Sequence, residues 1–346
     1  MLTDIRLQCQ QLTNPHFDTP KELVAWMGAV QAQNYPMVKW AIGIRLKSGS
    51  QSAVEEALCK GEIIRTHVMC PTWHIVAAED LRWMLKLSYQ RVKAATESWC
   101  KQLGISEEEY LNCNRDIEKI LEGKNLTREE IGQELTKLGY PVDQTRLNPY
   151  MLRAETEGII CSGIDKDKKP TYALLEERVP VAPELAKEEA LAKLATYYFR
   201  SHSPASLQDF TWWSGLTITE AKQAIESIKS ELCMEKYDSF ELYAHESCNS
   251  TPLPNNQLHL LPSYDEYLIS YKERATVMDP VHHPKAFNNW GIFYPVILHN
   301  GRVVGNWKKS TSKGGIKIET TFFERQPKIA KMVMNQAIEK LKAFYE

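Results

Sequence analysis

The sequence predicts an α+β protein in which tandem winged-helix motifs are followed by a small C-terminal β-barrel. Three successive stretches read as helices followed by a short two-stranded ribbon, which is the local pattern of a winged helix. After residue 250 the pattern changes to several short strands and one closing helix, which favours a small barrel. With 346 residues, the chain is long enough for several domains. We therefore predict four regions: a first winged-helix region at 1–105 that carries a Gln-x-Gln motif, a second winged helix at 106–182, a third at 183–250, and a barrel-like domain at 251–346.

Composition excludes several classes of protein. Hydrophobic residues make up 43% and charged residues 25% of the chain, which is typical of a soluble globular protein. The N-terminus lacks the pattern of a signal peptide, and no apolar run is long enough to span a bilayer. The eight cysteines form no C-x-x-C pair, which argues against a zinc site and a disulfide framework and favours the reducing cytoplasm. We expect no metal, no cofactor and no membrane association.

The charge is distributed unevenly along the chain. The net charge is −2, yet residues 251–346 contain 13 Lys and Arg against 8 Asp and Glu. A basic C-terminal region is typical of a surface that faces a polyanion, although a chance fluctuation on a solvated surface explains it equally well.

The first region contains a well-marked amphipathic helix. Thr19 and Glu22 have the spacing of a capping box. We expect the helix to end at Gln31, so that Gln31 and Gln33 lie at a helix-to-loop junction. If the segment is extended, side chains two positions apart point the same way, and both amides can converge on one small target.

The second and third regions repeat the order of helices and ribbon. Thr127 and Glu130 form a second predicted capping box, and residues 165–170 read as the polar tip of a hairpin. Thr217 and Glu220 predict another helix start in the third region.

Near the C-terminus, Asn300-Gly301 predicts a tight hairpin, because this pair accepts the positive φ angles that such turns need.

Other residues are candidates for supporting an active site. Thr72 and His74 alternate on one strand and therefore face the same side, where they either line a pocket or pack as ordinary wing residues. Asp265 is a candidate for orienting a water or a glutamine, although an aspartate in a turn often bonds only to backbone.

Candidate DNA contacts are basic residues on predicted β-ribbons, where they can neutralise phosphates. The alternative is that they lie on solvated loops. These candidates are Arg302, Lys308, Lys309, Lys313 and Lys317, with Lys166, Lys168 and Lys169 on the second wing.

An ordered set of motifs resembles the AlkZ-like (YcaQ-like) family of winged-helix DNA glycosylases. No single motif is specific, but together they cover nearly the whole chain in the right order. The matching runs are Val30–Gln33, Arg65–Thr66, Thr72–Val76, Gly158–Gly163 with Thr171–Leu174, Asp209–Gly215, Leu261–Leu268 and Gly301–Trp307.

The resemblance implies tandem winged helices with a barrel, and an enzyme that excises alkylated bases, including bulky or crosslinked purines. It also implies that Gln31 and Gln33 lie at the active site. One departure is that Cys70-Pro71 stands where relatives often have Arg-Gly. If that arginine meets a phosphate in relatives, this chain must find the charge elsewhere.

The residue types restrict the chemistry. A glutamine side chain donates and accepts hydrogen bonds but does not take up a proton near neutral pH. Gln31 and Gln33 can therefore position a water and stabilise an oxocarbenium-like charge only where the leaving base is already cationic, as in N7-alkylguanine or N3-alkyladenine. We predict a monomeric, monofunctional DNA glycosylase that acts on double-stranded DNA carrying alkylated bases. The alternative is a non-catalytic tandem winged-helix DNA-binding protein or transcriptional regulator.

Overall fold

The computed structural model describes residues 2–237, 240–248, 251–253, 255–312, 315–324 and 329–346. The chain forms two compact units. Unit 1 consists of Met1–Glu55 and Leu191–Glu346, and unit 2 consists of Glu56–Ala190. Both boundaries fall inside regions expected from the sequence, at 1–105 and 183–250. The division into four regions stays a prediction.

Helices and strands alternate along the whole chain. Within the described residues the helices are α1 Leu2–Cys9, α2 Pro20–Met27, α3 Tyr35–Gly43, α4 Gln51–Lys60, α5 Ala78–Gln102, α6 Glu107–Leu121, α7 Arg128–Lys137, α8 Gln144–Thr156, α9 Leu175–Arg178, α10 Lys187–His202, α11 Leu207–Ser214, α12 Ile218–Ser227, α13 Glu266–Ile269, α14 His283–Ala286 and α15 Lys331–Tyr345. The strands are β1 Val30–Gln31, β2 Ile63–His67, β3 Trp73–Ala77, β4 Leu126–Thr127, β5 Ile160–Ser162, β6 Thr171–Leu174, β7 Leu232–Tyr237, β8 Phe240–His245, β9 Leu258–Leu261, β10 Val296–His299, β11 Arg302–Ser312 and β12 Gly315–Phe322. None of these helices combines the length and the apolar character needed to cross a bilayer.

The local helix signals are confirmed at their N-termini. The capping boxes at Thr19, Thr127 and Thr217 are all formed. In each, the threonine side chain accepts from the backbone N–H three residues on, and the glutamate side chain at that position accepts from the backbone N–H of the threonine. The predicted end of α2 is wrong, since this helix stops at Met27 and the chain turns through Gly28 at φ 76°. Gln31 therefore lies on the short strand β1 and not at a helix end.

The C-terminal part of unit 1 contains a four-stranded antiparallel sheet in the order β12-β11-β10-β9. Asn300 and Gly301, at φ 48° and 73°, form the predicted hairpin turn between β10 and β11. The predicted barrel is not found in the described residues, where the sheet is open with β9 and β12 at its edges. Backbone carbonyls of β9 accept from the indole N–H groups of Trp40 and Trp307, both at 2.7 Å, and β10 is the one strand that pairs with β9 among the described residues.

Unit 2 is built on helices α5 to α8 and two small sets of strands. Helices α6, α7 and α8 share an apolar core with residues of β5 and β6, including Ile117, Ile131 and Tyr150. Strands β4, β6 and β5 pair in that order, and β2 pairs with β3. The predicted hairpin tip is confirmed, because Lys166 pairs with Lys169 around two residues with positive φ.

Candidate active site in unit 1

The backbone of Gln31 is anchored by a buried carboxylate. Its N–H donates to Oε1 of Glu266 at 2.5 Å, across 235 positions of sequence. The Gln31 side chain is itself buried, with 7% exposure, and its Oε1 has no hydrogen-bond partner among the described residues. A buried carbonyl without a protein partner is uncommon in native proteins, and such an oxygen can accept a hydrogen bond from a water or a ligand.

Glu266 contacts several donors besides Gln31. Its Oε2 accepts from the hydroxyl of Ser270 and from the indole N–H of Trp213 at 3.3 Å. Nε2 of His202 lies 3.4 Å from the same oxygen, without the alignment of a hydrogen bond. Burial raises the pKa of Glu266, but His202 and the hydrogen bonds from Ser270 and Gln31 outweigh it, so the pKa lies below its ordinary value. The side chain is therefore a carboxylate at neutral pH.

The neighbouring carboxylate, Asp265, has a different set of contacts. Arg45 donates one hydrogen bond to each of its oxygens at 2.8 Å, and both side chains are 1% exposed. Asp265 Oδ1 also accepts from the N–H of Tyr267 and so caps the short helix α13. These contacts explain its burial without a ligand, and a supporting role for Asp265 in the active site stays a prediction.

The two glutamines of the Gln-x-Gln motif differ in burial. Gln31 is buried, whereas Gln33 is exposed in the bend before α3. The extended backbone that convergence requires is present at Gln31.

Thr72 and His74 lie in unit 2 and contact each other. Nδ1 of His74 is 3.1 Å from the carbonyl of Thr72, so this nitrogen is the donor. The Thr72 hydroxyl lies 3.0 Å from the sulfur of Cys70. His74 is buried, and a role for this pair in catalysis stays a prediction.

The basic residues of β11 and β12 differ in their surroundings. Lys308 and Lys317 lie on the exposed face of the hairpin, and Lys317 forms an ion pair with Glu319 at 2.7 Å. Lys309 faces the other side, with its ammonium 3.2 Å from the centre of the Tyr345 ring, and burial lowers its pKa.

Arg302 and Lys313 are the two further candidates for DNA contact in this part of the chain. Arg302 is exposed and donates to the carbonyl of Thr276. Lys313 lies outside the described residues.

The second predicted wing presents three lysines at its tip. Lys166 pairs with Glu130 at 2.6 Å, and Lys169 lies 3.9 Å from Glu129. Lys168 is exposed at the turn with φ 64°.

Glu266 is the residue that sequence reasoning missed. It stands beside Asp265 in a segment that the resemblance had already marked, but no local pattern shows which of two adjacent acids faces a strand more than 200 positions away. No group of three His, Cys, Asp or Glu that could hold a metal ion is found in the part of the chain that the structure describes.

Comparison with known proteins finds similar proteins over nearly the whole chain. The model of a family described as DNA glycosylase AlkZ-like matches residues 24–344. The interstrand DNA cross-link repair glycosylase of Streptomyces sahachiroi is 22% identical in an alignment of 323 positions that covers 88% of this chain and 85% of that protein. The solved structure of the Streptomyces sahachiroi DNA glycosylase AlkZ aligns with a TM-score of 0.83 at 19% identity, over 99% of this chain and 95% of that one. The fold is therefore shared from end to end.

Proposed function

Because the chain belongs to the AlkZ-like DNA glycosylase family, we propose that it hydrolyses the N-glycosidic bond between deoxyribose and a damaged base in DNA. The observation that carries the proposal is the state of Gln31, whose backbone is anchored by an ionised carboxylate while its side-chain oxygen has no partner among the residues that the structure describes. In this role Gln31 and Gln33 position the attacking water and place their amide dipoles beside the positive charge that develops on the sugar.

The substrates that fit this chemistry are alkylated purines that already carry a positive charge. An amide cannot protonate a leaving group, so the base must depart as a neutral molecule without an acid. N7-alkylguanine and N3-alkyladenine meet this condition. Crosslinked purines are a further candidate, because a relative is named as an interstrand cross-link repair glycosylase.

We further propose how the chain contacts DNA. Helices α6, α7 and α8 followed by the β5–β6 hairpin have the order of a winged helix, with Lys168 at the tip of the wing. Exposed cations such as Lys308 and Arg302 are proposed phosphate contacts. We expect a monofunctional enzyme that acts as a monomer in the cytoplasm.

The test measures free base released from duplex DNA that contains N7-methylguanine, by chromatography and mass spectrometry. The wild type should release the base above the spontaneous rate, and the double variant Gln31→Ala, Gln33→Ala should lose about 100-fold in rate. Gln223→Ala removes an exposed glutamine on α12 and serves as the matched control, with an unchanged rate. Equal release by the wild type and the double variant would exclude this pair from catalysis. Release by the wild type no faster than in buffer would overturn the activity on this substrate.

A further inference from the structure

The two carboxylate oxygens of Glu266 have different hydrogen-bond partners. Among the described residues, Oε1 accepts a single hydrogen bond, from the backbone N–H of Gln31. Oε2 faces the hydroxyl of Ser270, the indole N–H of Trp213 and the ring of His202. Oε2 is therefore fixed by buried side chains of unit 1, and Oε1 bonds to the strand that carries Gln31.

His202 has close contacts at both ring nitrogens. Nδ1 lies 2.7 Å from the Ser201 hydroxyl, which donates to the carbonyl of Tyr197 at 2.6 Å. Nε2 lies 3.4 Å from Oε2 of Glu266, and the ring of Tyr198 stacks on the imidazole at 4.8 Å. His202 is therefore packed between Ser201, Tyr198 and the carboxylate of Glu266.

We propose that Glu266 is a positioning residue for base excision: its carboxylate fixes the peptide plane of Gln31 and so directs the Gln31 amide at the reacting sugar. The proposal rests on the glycosylase function above. A hydrogen bond from a backbone N–H to an ionised carboxylate is stronger than one between neutral groups, so it holds the peptide in one orientation. The direction of the Gln31 side chain follows from that orientation, and reaction rates fall steeply when a reacting group is displaced by about 1 Å.

The proposal requires the charged form of Glu266 and not only its shape. In Glu266→Gln, the single carbonyl oxygen must choose between the donors on the Oε2 side and the one N–H on the Oε1 side. Because Ser270 and Trp213 outnumber Gln31, the oxygen should face them, and the new NH₂ then meets the Gln31 N–H, donor against donor. The strand should be displaced although the side chain keeps its size and shape.

Glu155 offers a matched control in unit 2. It is a buried carboxylate that also lies against a histidine, with Oε2 at 2.5 Å from Nδ1 of His67. Glu155 lies in the other compact unit. Glu155→Gln therefore changes a buried carboxyl group in the same kind of pair, while Glu266 and Gln31 keep their own side chains.

The experiment measures single-turnover base release at saturating enzyme, together with the Kd for the same lesion-containing duplex. For Glu266→Gln we expect the release rate to fall by about tenfold or more while Kd changes by less than about twofold. Glu155→Gln should leave both unchanged. Circular dichroism at the assay temperature verifies that each variant is folded, so that a loss of rate is not a loss of folded protein.

Hydrogen exchange of the Gln31 amide gives a second readout that needs no activity. Exchange in the peptide containing Gln31 should speed up by about tenfold or more in Glu266→Gln and stay at the wild-type rate in Glu155→Gln. An unchanged release rate and unchanged Gln31 exchange in folded Glu266→Gln would overturn the proposal. If the wild type releases no base at all, the glycosylase function fails, and the exchange result still decides whether Glu266 anchors Gln31.

Discussion

Two buried carboxylates, one in each unit, lie against a histidine, yet they differ in how completely they are bonded. Glu266 in unit 1 receives hydrogen bonds at both oxygens. Glu155 in unit 2 is bonded through Oε2 to His67, and its buried Oε1 has no partner among the described residues. The contact with a histidine is therefore common to both carboxylates. What distinguishes Glu266 is that one of its donors belongs to the segment that carries the Gln-x-Gln motif.

The same distinction separates Glu266 from its own neighbour. Asp265 is fully bonded as well, but its partners are Arg45 and the N-terminus of a short helix. Both carboxylates have hydrogen-bond donors at each oxygen, which helps to stabilise unit 1. They differ in which residues donate, and Gln31 is a donor to Glu266 alone of the two. Variants that break each set of hydrogen bonds separately should therefore differ in their effects on stability.

The largest loss of stability should follow from Arg45→Met. This change leaves the buried Asp265 without its counter-charge, which costs about 3–5 kcal/mol. Urea denaturation followed by circular dichroism should show the first transition at a clearly lower concentration. The double variant Arg45→Met, Asp265→Leu removes both charges and should recover most of the loss. A single variant as stable as the wild type would show that the pair contributes little to unit 1.

Local features of this fold could be predicted from the sequence, because their causes lie within a few residues. The capping boxes at Thr19 and Thr127 and the turn at Asn300-Gly301 each depend on neighbours three positions away or fewer, and all three are confirmed. The end of α2 was misjudged because the apolar pattern continues beyond Gly28, where the positive φ turns the chain away from the helix.

Long-range features could not be predicted in the same way. The bond between Gln31 and Glu266 joins residues 235 positions apart, and periodicity contains no information about it. The sequence predicts strands after residue 250, but whether their sheet closes depends on contacts between distant parts of the chain. Here Trp40, from a helix 220 positions away, donates to β9.

The pH dependence of stability gives a smaller effect that isolates Glu266. Its pKa in the folded protein lies below the ordinary value of 4.5, because donated hydrogen bonds and His202 outweigh the effect of burial. The unfolded chain therefore binds more protons just below pH 4.5, so the stabilisation is present above that pH and is lost as the pH falls through the folded pKa. Glu266→Gln lacks this group, so its stability should approach that of the wild type on acidification, by at most about 1.4 kcal/mol per pH unit. A difference between the two proteins that stays constant from pH 6 to pH 3 would contradict the lowered pKa.

The smallest effect is expected for Glu155→Gln, and it tests the comparison most directly. The glutamine can keep one hydrogen bond with His67 and leave its carbonyl oxygen at the position where Oε1 has no partner among the described residues. One spare N–H is the only new unsatisfied group, while a neutral amide, which costs less to bury than an ionised carboxylate, replaces the acidic group. The two contributions oppose each other, so the free energy of unfolding should change by less than about 1 kcal/mol. A loss of unfolding free energy as large as that of Glu266→Gln would mean that the histidine contact alone determines how much such a carboxylate contributes to stability. The additional donors around Glu266 would then not distinguish it from Glu155.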